Sequence, residues 1–172
     1  MADDNLLIIL GNQLFPLEEI KKTGAKKIFM KEDLGLCTDF KHHKLKILFF
    51  LGAMREYKKN LEANGFEVIY FDIDNKEFDT SYLELLKNTL QKNSIDNILH
   101  FEIEDKTFAA KFDKFISSNQ IKSLQIPTPM FLCAREEYKD FFGNKSLRMV
   151  SFYQMMRKKL NVLMENEKPI GG

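Results

Sequence analysis

Cysteine is scarce in this sequence, and long apolar runs are missing from it. The chain has two cysteines in 172 residues, Cys37 and Cys133, without a CxxC pair. This pattern argues against a disulfide framework and a structural zinc site, and it is typical of a reducing cytoplasm. No segment approaches the roughly 20 apolar residues of a membrane span, and the N-terminus MADDNLLIILGNQ carries acids where a signal peptide requires positive charge. We therefore expect a soluble cytoplasmic protein with no membrane partner.

The sequence also has no large excess of charge of either sign. It contains 26 Lys and Arg residues against 25 Asp and Glu residues, a formal charge of +1. This balance gives no overall electrostatic reason for the chain alone to bind nucleic acid. A hydrophobic content of 44% with 30% charged residues is typical of a globular protein.

Common nucleotide-binding and hydrolase motifs are absent as well. The sequence has no GxGxxG after its first predicted strand, no Walker lysine motif and no GxSxG elbow. Their absence argues against a dinucleotide pyrophosphate site and leaves a hydrolase triad without a visible nucleophile.

Five short apolar segments predict the strands of a parallel sheet. They cover residues 6–10, 27–30, 66–71, 97–101 and 123–126. A continuous apolar run is typical of a strand that is covered on both faces. Because helical segments lie between the runs, we expect an α/β fold with a doubly wound, Rossmann-like five-stranded parallel sheet in the order 3-2-1-4-5 and C-terminal helices.

Three helices are predicted between these strands. The longest covers residues 44–64 and ends at the helix-stop pair Asn64 and Gly65. The other two cover residues 80–92 and residues 107–117. Each connects one predicted strand to the next, as parallel strands require.

The pattern changes after the fifth predicted strand. Residues 134–142 and 147–164 are predicted to be helical, and no sixth strand follows. We therefore expect an α/β domain over residues 1–142 and a connector helix with a tail over residues 143–172. The last helix has more apolar residues than one packed face usually requires. Two interpretations stay open: a helix docked on the sheet, and a connector helix that also packs on a further domain.

Polar residues follow the predicted strands at the edge where ligands of open α/β sheets bind. Gly11, Asn12 and Gln13 follow the first strand, and Glu102 follows the fourth. Gly11 permits a close backbone approach, and the amide side chains both donate and accept hydrogen bonds. This chemistry suits the polar edge of a heterocycle.

The segment LCTDFKHHKLK, residues 36–46, contains the densest group of reactive side chains. Adjacent residues at a helix start point about 100° apart, so His42 and His43 cannot readily bind one metal ion. Cys37 would need a neighbouring base and a lowered pKa to act as a nucleophile, and an inert thiol is the alternative. A ligand-lining loop and a packing or hydrogen-bonding role at the helix start both stay open for this segment.

Four segments match a known family in the same order along the chain. They are LGNQLFPL, KEDLGLCTDFKHHKLKILFFLGAMREY, MFLCAREEY and LRMVSFYQMMRKKLNVLMENEKPIGG. Together they resemble the N-terminal part of the deoxyribodipyrimidine photolyase-related proteins, the bacterial photolyase/cryptochrome branch with an iron–sulfur cluster. The resemblance implies an antenna domain that binds 6,7-dimethyl-8-ribityllumazine and passes excitation energy to a flavin, in light-driven DNA repair or photoreception.

The resemblance also implies a set of pigment-binding residues. Gln13 and Glu32 hold motif positions that are expected to contact the pigment, whereas Asn12 stands where the family usually has an aspartate. No catalytic residue and no metal ligand is expected. The predicted binding residues are Gly11, Asn12, Gln13, Glu32, Leu36, Cys37, Thr38 and Glu102.

Catalysis and DNA binding are implied for another part of the parent protein. The resemblance places FAD, the iron–sulfur cluster and the lesion pocket in a helical C-terminal flavin domain that this chain lacks. That domain is the expected partner, and DNA is expected to bind only through the full-length protein. Two alternatives stay open: a stand-alone flavodoxin-like nucleotide-binding or regulatory module, and a structural half that self-associates through its C-terminal helix.

Overall fold

The centre of the molecule is a parallel β-sheet of five strands. The computed structural model describes residues 5–33, 35, 38, 41–143, 146, 148–165 and 168–170. The sheet has the order β3-β2-β1-β4-β5 and confirms the α/β fold and strand order predicted from the sequence. The strands are β1 (Asn5–Ile8), β2 (Lys27–Lys31), β3 (Glu67–Phe71), β4 (Asn97–Phe101) and β5 (Lys122–Ile126).

Helices connect the strands and cover both faces of the sheet. They are α1 (Leu17–Lys22), α2 (Lys44–Ala63), α3 (Tyr82–Lys92) and α4 (Lys106–Ser118). The sequence did not predict α1, which has six residues and no side-chain hydrogen bond at its N-cap. The other three helices lie within one or two residues of their predicted bounds.

Alternate residues from Leu6 to Ile9, in β1 and directly after it, pack into opposite halves of the core. Leu6 and Ile8 lie in a buried cluster with side chains of α3 and α4. Leu7 and Ile9 lie in a second cluster with side chains of α1 and α2. Each of these four residues is at most 1% exposed, and burying such a side chain stabilises the fold by about 1.5–3 kcal/mol. The continuous apolar run after Asn5 therefore reflects burial on both faces.

Side-chain caps fix the helices that begin at the carboxyl ends of the strands. His43 Nδ1 accepts a hydrogen bond from Leu45 N at the start of α2 (3.2 Å). Ser81 Oγ caps α3, and Asp105 Oδ1 caps α4 by accepting from Phe108 N (2.9 Å). A cap contributes about 1 kcal/mol. For His43, the predicted hydrogen-bonding role at the helix start is confirmed.

Contacts divide the chain into two compact units, Met1–Met130 and Phe131–Gly172. The second unit contains α5 (Arg135–Phe142) and α6 (Met149–Lys159). Phe152 of α6 contacts the rings of Tyr138, Phe141 and Phe142 of α5. The predicted boundary between residues 142 and 143 stays a prediction.

The end of the second unit differs from the predicted helix over residues 147–164. The helix ends at Lys159, and Asn161 and Leu163 have φ angles of 51° and 52°, outside the helical region. The guanidinium of Arg157 donates hydrogen bonds to the carbonyl oxygens of Val162 and Leu163. A short antiparallel pair follows, made of β6 (Met164–Glu165) and β7 (Lys168–Pro169).

The exposed face of α6 carries apolar side chains. Met149, Val150 and Tyr153 are each more than half exposed. Self-association through this helix stays a prediction. Within the described residues, no helix combines the length and apolar composition needed to cross a membrane.

Candidate functional site

A cavity of about 330 Å³ lies at the carboxyl ends of β1, β2 and β4. We call it the strand-end cavity. It lies where the strand order reverses, because β1 pairs with β2 on one side and with β4 on the other. Open α/β sheets bind their ligands at this point.

Apolar atoms form most of the surface of the cavity. Phe50 comes from α2, Phe108 from α4, and the ring of Phe108 packs edge-to-face on Tyr82 with centroids 5.6 Å apart. Such walls suit a flat ring, because aromatic surfaces pack against one another in offset or edge-to-face arrangements. The apolar and aromatic lining residues are Leu10, Ile47, Phe50, Tyr82, Ile103 and Phe108.

Polar side chains complete the lining. Asp105 is engaged as the cap of α4, and Asp33 Oδ1 lies 3.5 Å from Lys31 Nζ. No carboxylate of the described residues lies within salt-bridge distance of Lys46 or Lys111. The polar and charged lining residues are Asn12, Lys31, Asp33, His42, Lys46, Asp105, Thr107 and Lys111.

Gly11 allows α2 to approach the end of β1 closely. A Cβ atom at this position would lie 2.8 Å from Phe50 Cζ and 2.9 Å from Met54 Sδ. Real Cβ atoms do not tolerate such distances, and Met54 is fully buried. Gly11 therefore places the Phe50 ring against the β1 turn, where it forms part of the cavity wall.

Lys31 is buried at the end of β2 and lines the cavity. Its side chain is 1% exposed. Its ammonium donates to the Phe78 carbonyl oxygen (3.2 Å) and to Asp33 Oδ1 (3.5 Å), and it lies over the Phe78 ring. A buried charge is costly unless it is paired, so this lysine is a specific feature of the site.

The Tyr82 hydroxyl is a second unusual group of the wall. It is buried and has no hydrogen-bond partner among the described residues. Burial raises the pKa of Tyr82, and the negative charge of Asp33 raises it further. The hydroxyl therefore stays protonated and is able to donate a hydrogen bond.

Glu32 lies beside the cavity in a closed hydrogen-bond network. The fully buried carboxylate accepts from Arg55 Nε (2.6 Å) and Nη2 (3.0 Å), from the Tyr70 hydroxyl (2.7 Å) and from Ile73 N (2.9 Å). Burial alone raises the pKa of Glu32, but these hydrogen bonds and the guanidinium charge outweigh it and hold the pKa below its usual value. Glu32 is thus a charged anchor that joins β2, α2 and β3.

Gln13 connects the loops that follow β1 and β4. The side chain is 1% exposed. Its Nε2 donates to the carbonyl oxygen of Glu102 (2.9 Å) and to Glu104 Oε2 (3.2 Å). Glu104 Oε1 in turn accepts from the Thr128 hydroxyl (2.7 Å). Gln13 therefore holds two loops of the binding edge together.

Comparisons with known proteins show the family to which the chain belongs. The model of the family described as deoxyribodipyrimidine photolyase-related protein matches residues 7–172. The chain belongs to this family. This photolyase-related protein is 30% identical over 171 residues to a (6-4) photolyase of Agrobacterium fabrum, an alignment that covers 97% of the chain and 34% of the relative. It is 26% identical over 180 residues to an uncharacterized protein of Acanthamoeba polyphaga mimivirus, with 98% of the chain and 89% of the relative covered.

The two relatives differ in length. The chain spans about a third of the length of the (6-4) photolyase. It spans most of the mimivirus protein. The family assignment therefore covers the chain, whereas most of the (6-4) photolyase lies outside the match.

The predicted site residues differ in where they lie relative to the cavity. Gly11 and Asn12 line the strand-end cavity. Gln13, Glu32 and Glu102 lie next to it, and none of them belongs to the described lining. Leu36 and Cys37 lie outside the described residues, and Thr38 is exposed. Pigment contact by these residues stays a prediction.

Sequence reasoning missed most of the side chains that form the wall. The sequence placed Phe50, Tyr82 and Phe108 in predicted helices and gave them no role in binding. Lys31 was not included among the predicted binding residues, although its neighbour Glu32 was. One signal was available, because helices that follow parallel strands must begin at the carboxyl edge. Residues in the first turns of α2, α3 and α4 were therefore candidates. The described residues include no group of three His, Cys, Asp or Glu side chains placed to hold a metal ion.

Proposed function

We propose that the strand-end cavity binds a flat antenna chromophore, and that 6,7-dimethyl-8-ribityllumazine is that chromophore. The observation that carries this proposal is a mostly apolar cavity of about 330 Å³ at the switch point of the sheet. Small-molecule sites have volumes of about 300–1,000 Å³ and combine apolar walls with a few polar groups. Membership of the photolyase-related family supports a chromophore as the ligand.

The lining residues fit a flat heterocycle. Phe50 and Phe108 offer aromatic walls, and the exposed Asn12 offers both a donor and an acceptor at the β1 turn. The bound pigment would supply light absorption. The protein would hold the ring in a fixed orientation, and no side chain has to act as an acid or a base.

Titration with the lumazine tests this proposal. We expect the 172-residue chain to retain near-UV to blue absorbance after removal of free ligand, and Asn12→Ala to weaken binding several-fold because its hydrogen bonds are lost. Asn88→Ala is the matched control, since Asn88 is exposed on α3 and outside the cavity lining. Failure of the wild type to retain the lumazine contradicts the proposal.

The double variant Gln13→Ala with Glu32→Ala tests the residues that the resemblance implies. We expect it to lose the pigment, because Gln13 and Glu32 hold the loops and helix that frame the cavity. Undiminished retention would exclude both from pigment binding. High affinity for ATP in place of the lumazine would favour a nucleotide-binding regulatory module.

The role of the longer family members is part of the proposal. We propose that this chain serves light-driven DNA repair or photoreception as the antenna part of such a protein. FAD, an iron–sulfur cluster and DNA contacts would then belong to a separate flavin domain, in keeping with the 34% share of the (6-4) photolyase that the chain matches. Transfer of excitation energy from bound lumazine to that domain is the measurement that tests this role.

A further inference from the structure

The first half of α2 has an exposed apolar face. Leu45, Leu48 and Phe49 are 62%, 68% and 79% exposed. Together with Gly52 they are spaced at i, i+3, i+4 and i+7, so they lie on one side of the helix. We call these four residues the α2 stripe. Single exposed apolar residues are ordinary, but a contiguous group of large ones marks an interaction surface.

The α2 stripe is separate from the surfaces of α2 that the fold already uses. Met54 and Leu61, on the opposite side of the helix, are fully buried in the core. Ile47 and Phe50 line the strand-end cavity. Among the described residues, the stripe belongs neither to the buried core clusters nor to the cavity lining. Neither the core nor a ligand in the cavity therefore explains why this face is apolar.

Gly52 leaves a gap beside the projecting Phe49 ring. A Cβ atom built on Gly52 meets nothing within 4 Å in the part of the chain that the structure describes. The residue lies inside a regular helix and its φ is not positive, so the backbone does not require glycine here. Glycine inside a helix is destabilising relative to alanine. The gap is therefore useful only if something outside the monomer fills it.

A surface with both a projection and a gap can fit a second copy of itself. In an isologous dimer, a twofold axis joins the same patch of both copies. If two α2 helices pack antiparallel about an axis between residues 50 and 51, Phe49 of each copy lies opposite Gly52 of the other, because both are equally far from the axis. Leu48 then lies opposite Ala53. Small residues at these positions allow the helices to approach closely, since the interaxial distance depends on the side chains at the contact.

The charges near the two ends of the α2 stripe favour the same arrangement. Lys41 and Lys44 lie at its start, and Glu56 lies one turn beyond Gly52. Antiparallel pairing brings Glu56 of one copy toward Lys44 of the other and keeps the basic starts of the two helices apart. It also sets the two helix dipoles in opposite directions. The formal charge of +1 leaves little overall repulsion between two copies.

We propose that the chain forms a twofold-symmetric dimer in which the α2 stripes of two copies pack antiparallel, with Phe49 of each copy over Gly52 of the other. This inference does not depend on the proposed function. A pair of single helix faces falls at the low end of interface sizes, below about 1,200 Å² in total. We therefore expect a dissociation constant in the micromolar range.

Sedimentation velocity of the 172-residue chain at increasing concentration tests the dimer. We expect the wild type to change from monomer to dimer, and Phe49→Glu to stay monomeric because the dimer would bury an unpaired carboxylate. Val150→Glu is the matched control: Val150 is 69% exposed on α6, so the same charge there should leave dimerisation unchanged. Both residues are exposed in the monomer, and neither variant should lower the melting temperature of the dilute protein.

Gly52→Leu separates a specific dimer from adhesion through any apolar surface. The change adds exposed apolar area and removes a glycine from a helix, so it should stabilise the monomer and would strengthen nonspecific association. In the proposed dimer the new side chain occupies the space that Phe49 needs, so we expect the dissociation constant to rise roughly tenfold.

Three results would show that the inference is wrong. A wild type that stays monomeric at all concentrations would mean that the α2 stripe faces a different protein, such as the remainder of a longer family member. A dimer that Val150→Glu abolishes and Phe49→Glu keeps would place self-association on α6. Tighter association of Gly52→Leu than of the wild type would exclude the packing of Phe49 over Gly52.

Discussion

At the scale of single residues, the described part of the chain contains buried polar side chains whose charge state is set by their neighbours. Glu32 is fully buried and charged because Arg55 and Tyr70 bind it, and His100 is buried with its ring packed on Phe112. The Glu32 carboxylate carries a charge in the interior, whereas the buried His100 ring is neutral. They therefore respond to mutation and pH in different ways.

Removing the guanidinium that binds Glu32 should destabilise the protein. We expect Arg55→Ala to lower the free energy of unfolding by roughly 3 kcal/mol, because it leaves a buried carboxylate without its bidentate partner. Arg55→Lys should lower the free energy of unfolding by less, since lysine keeps the positive charge but cannot make the bidentate hydrogen bonds of the guanidinium. Lys59→Ala on the same helix removes an exposed ion pair with Glu56 and should change stability by less than about 0.5 kcal/mol. Urea unfolding measures all three, and equal stability of Arg55→Ala and the wild type would refute the anchoring role.

His100 should make the fold less stable as the pH falls. Burial lowers the pKa of His100 more than the Phe101 carbonyl oxygen and the Asp113 carboxylate raise it. The unfolded chain, with a histidine pKa of about 6.5, therefore binds a proton that the folded chain does not. Stability is complete above that pH and declines below it until the folded pKa is reached.

Urea unfolding between pH 7.5 and 5 checks this pH dependence. We expect His100→Gln to show a shallower decline than the wild type over this range. If the free energy of unfolding falls equally with pH in the two proteins, His100 does not contribute to the pH dependence.

At the scale of elements, the approach of α2 to the end of β1 depends on Gly11. We expect Gly11→Val to lower the free energy of unfolding by about 1–3 kcal/mol, because the added atoms displace Phe50 and Met54 in a packed core. The same variant should abolish lumazine binding, since Phe50 would move within the cavity wall. Gly52→Ala on the same helix is the control: its Cβ meets nothing within 4 Å, and it should raise stability by about 0.5–1 kcal/mol. Ligand titration measures lumazine binding by both variants, and urea unfolding measures their stability.

The sequence predicted the strands well because their pattern has a local physical cause. β4 lies at its predicted bounds, and β2 differs from its prediction by one residue, because strands covered on both faces are continuously apolar. The end of α6 was predicted wrongly. The apolar residues after Lys159 have helical spacing, but Arg157 donates hydrogen bonds to the carbonyl oxygens of Val162 and Leu163 and stabilises a turn there. Periodicity carries no information about such a contact.

The site was harder to predict than the fold because its contacts join distant parts of the chain. Arg55 lies 23 residues and Tyr70 lies 38 residues from Glu32. The motif around Glu32 indicated the right edge of the sheet, but it could not show that the carboxylate is bound by the protein itself. Tyr82 was missed for a related reason, since an aromatic residue at a helix start is ordinarily a core residue.

At the scale of the whole molecule, the chain consists of the units Met1–Met130 and Phe131–Gly172. The junction is exposed: Phe131 and Leu132 are 59% and 74% exposed and lie outside helices and strands. Exposed irregular segments are the usual sites of proteolytic cleavage.

Limited proteolysis tests where the units divide. We expect chymotrypsin to cut first after Phe131 or Leu132, leaving a fragment close to the size of Met1–Met130. Phe142, at the boundary predicted from the sequence, is only 5% exposed and should be cut more slowly. A first cut after Phe142, identified by mass spectrometry, would favour the boundary at residues 142 and 143 instead.

A crystal structure of the chain with 6,7-dimethyl-8-ribityllumazine would show whether the strand-end cavity binds this chromophore. We expect the pigment ring to contact Phe50 and Phe108. If the pigment binds elsewhere, or if the protein's own side chains fill the cavity under conditions that saturate binding in solution, the strand-end cavity is not the chromophore site.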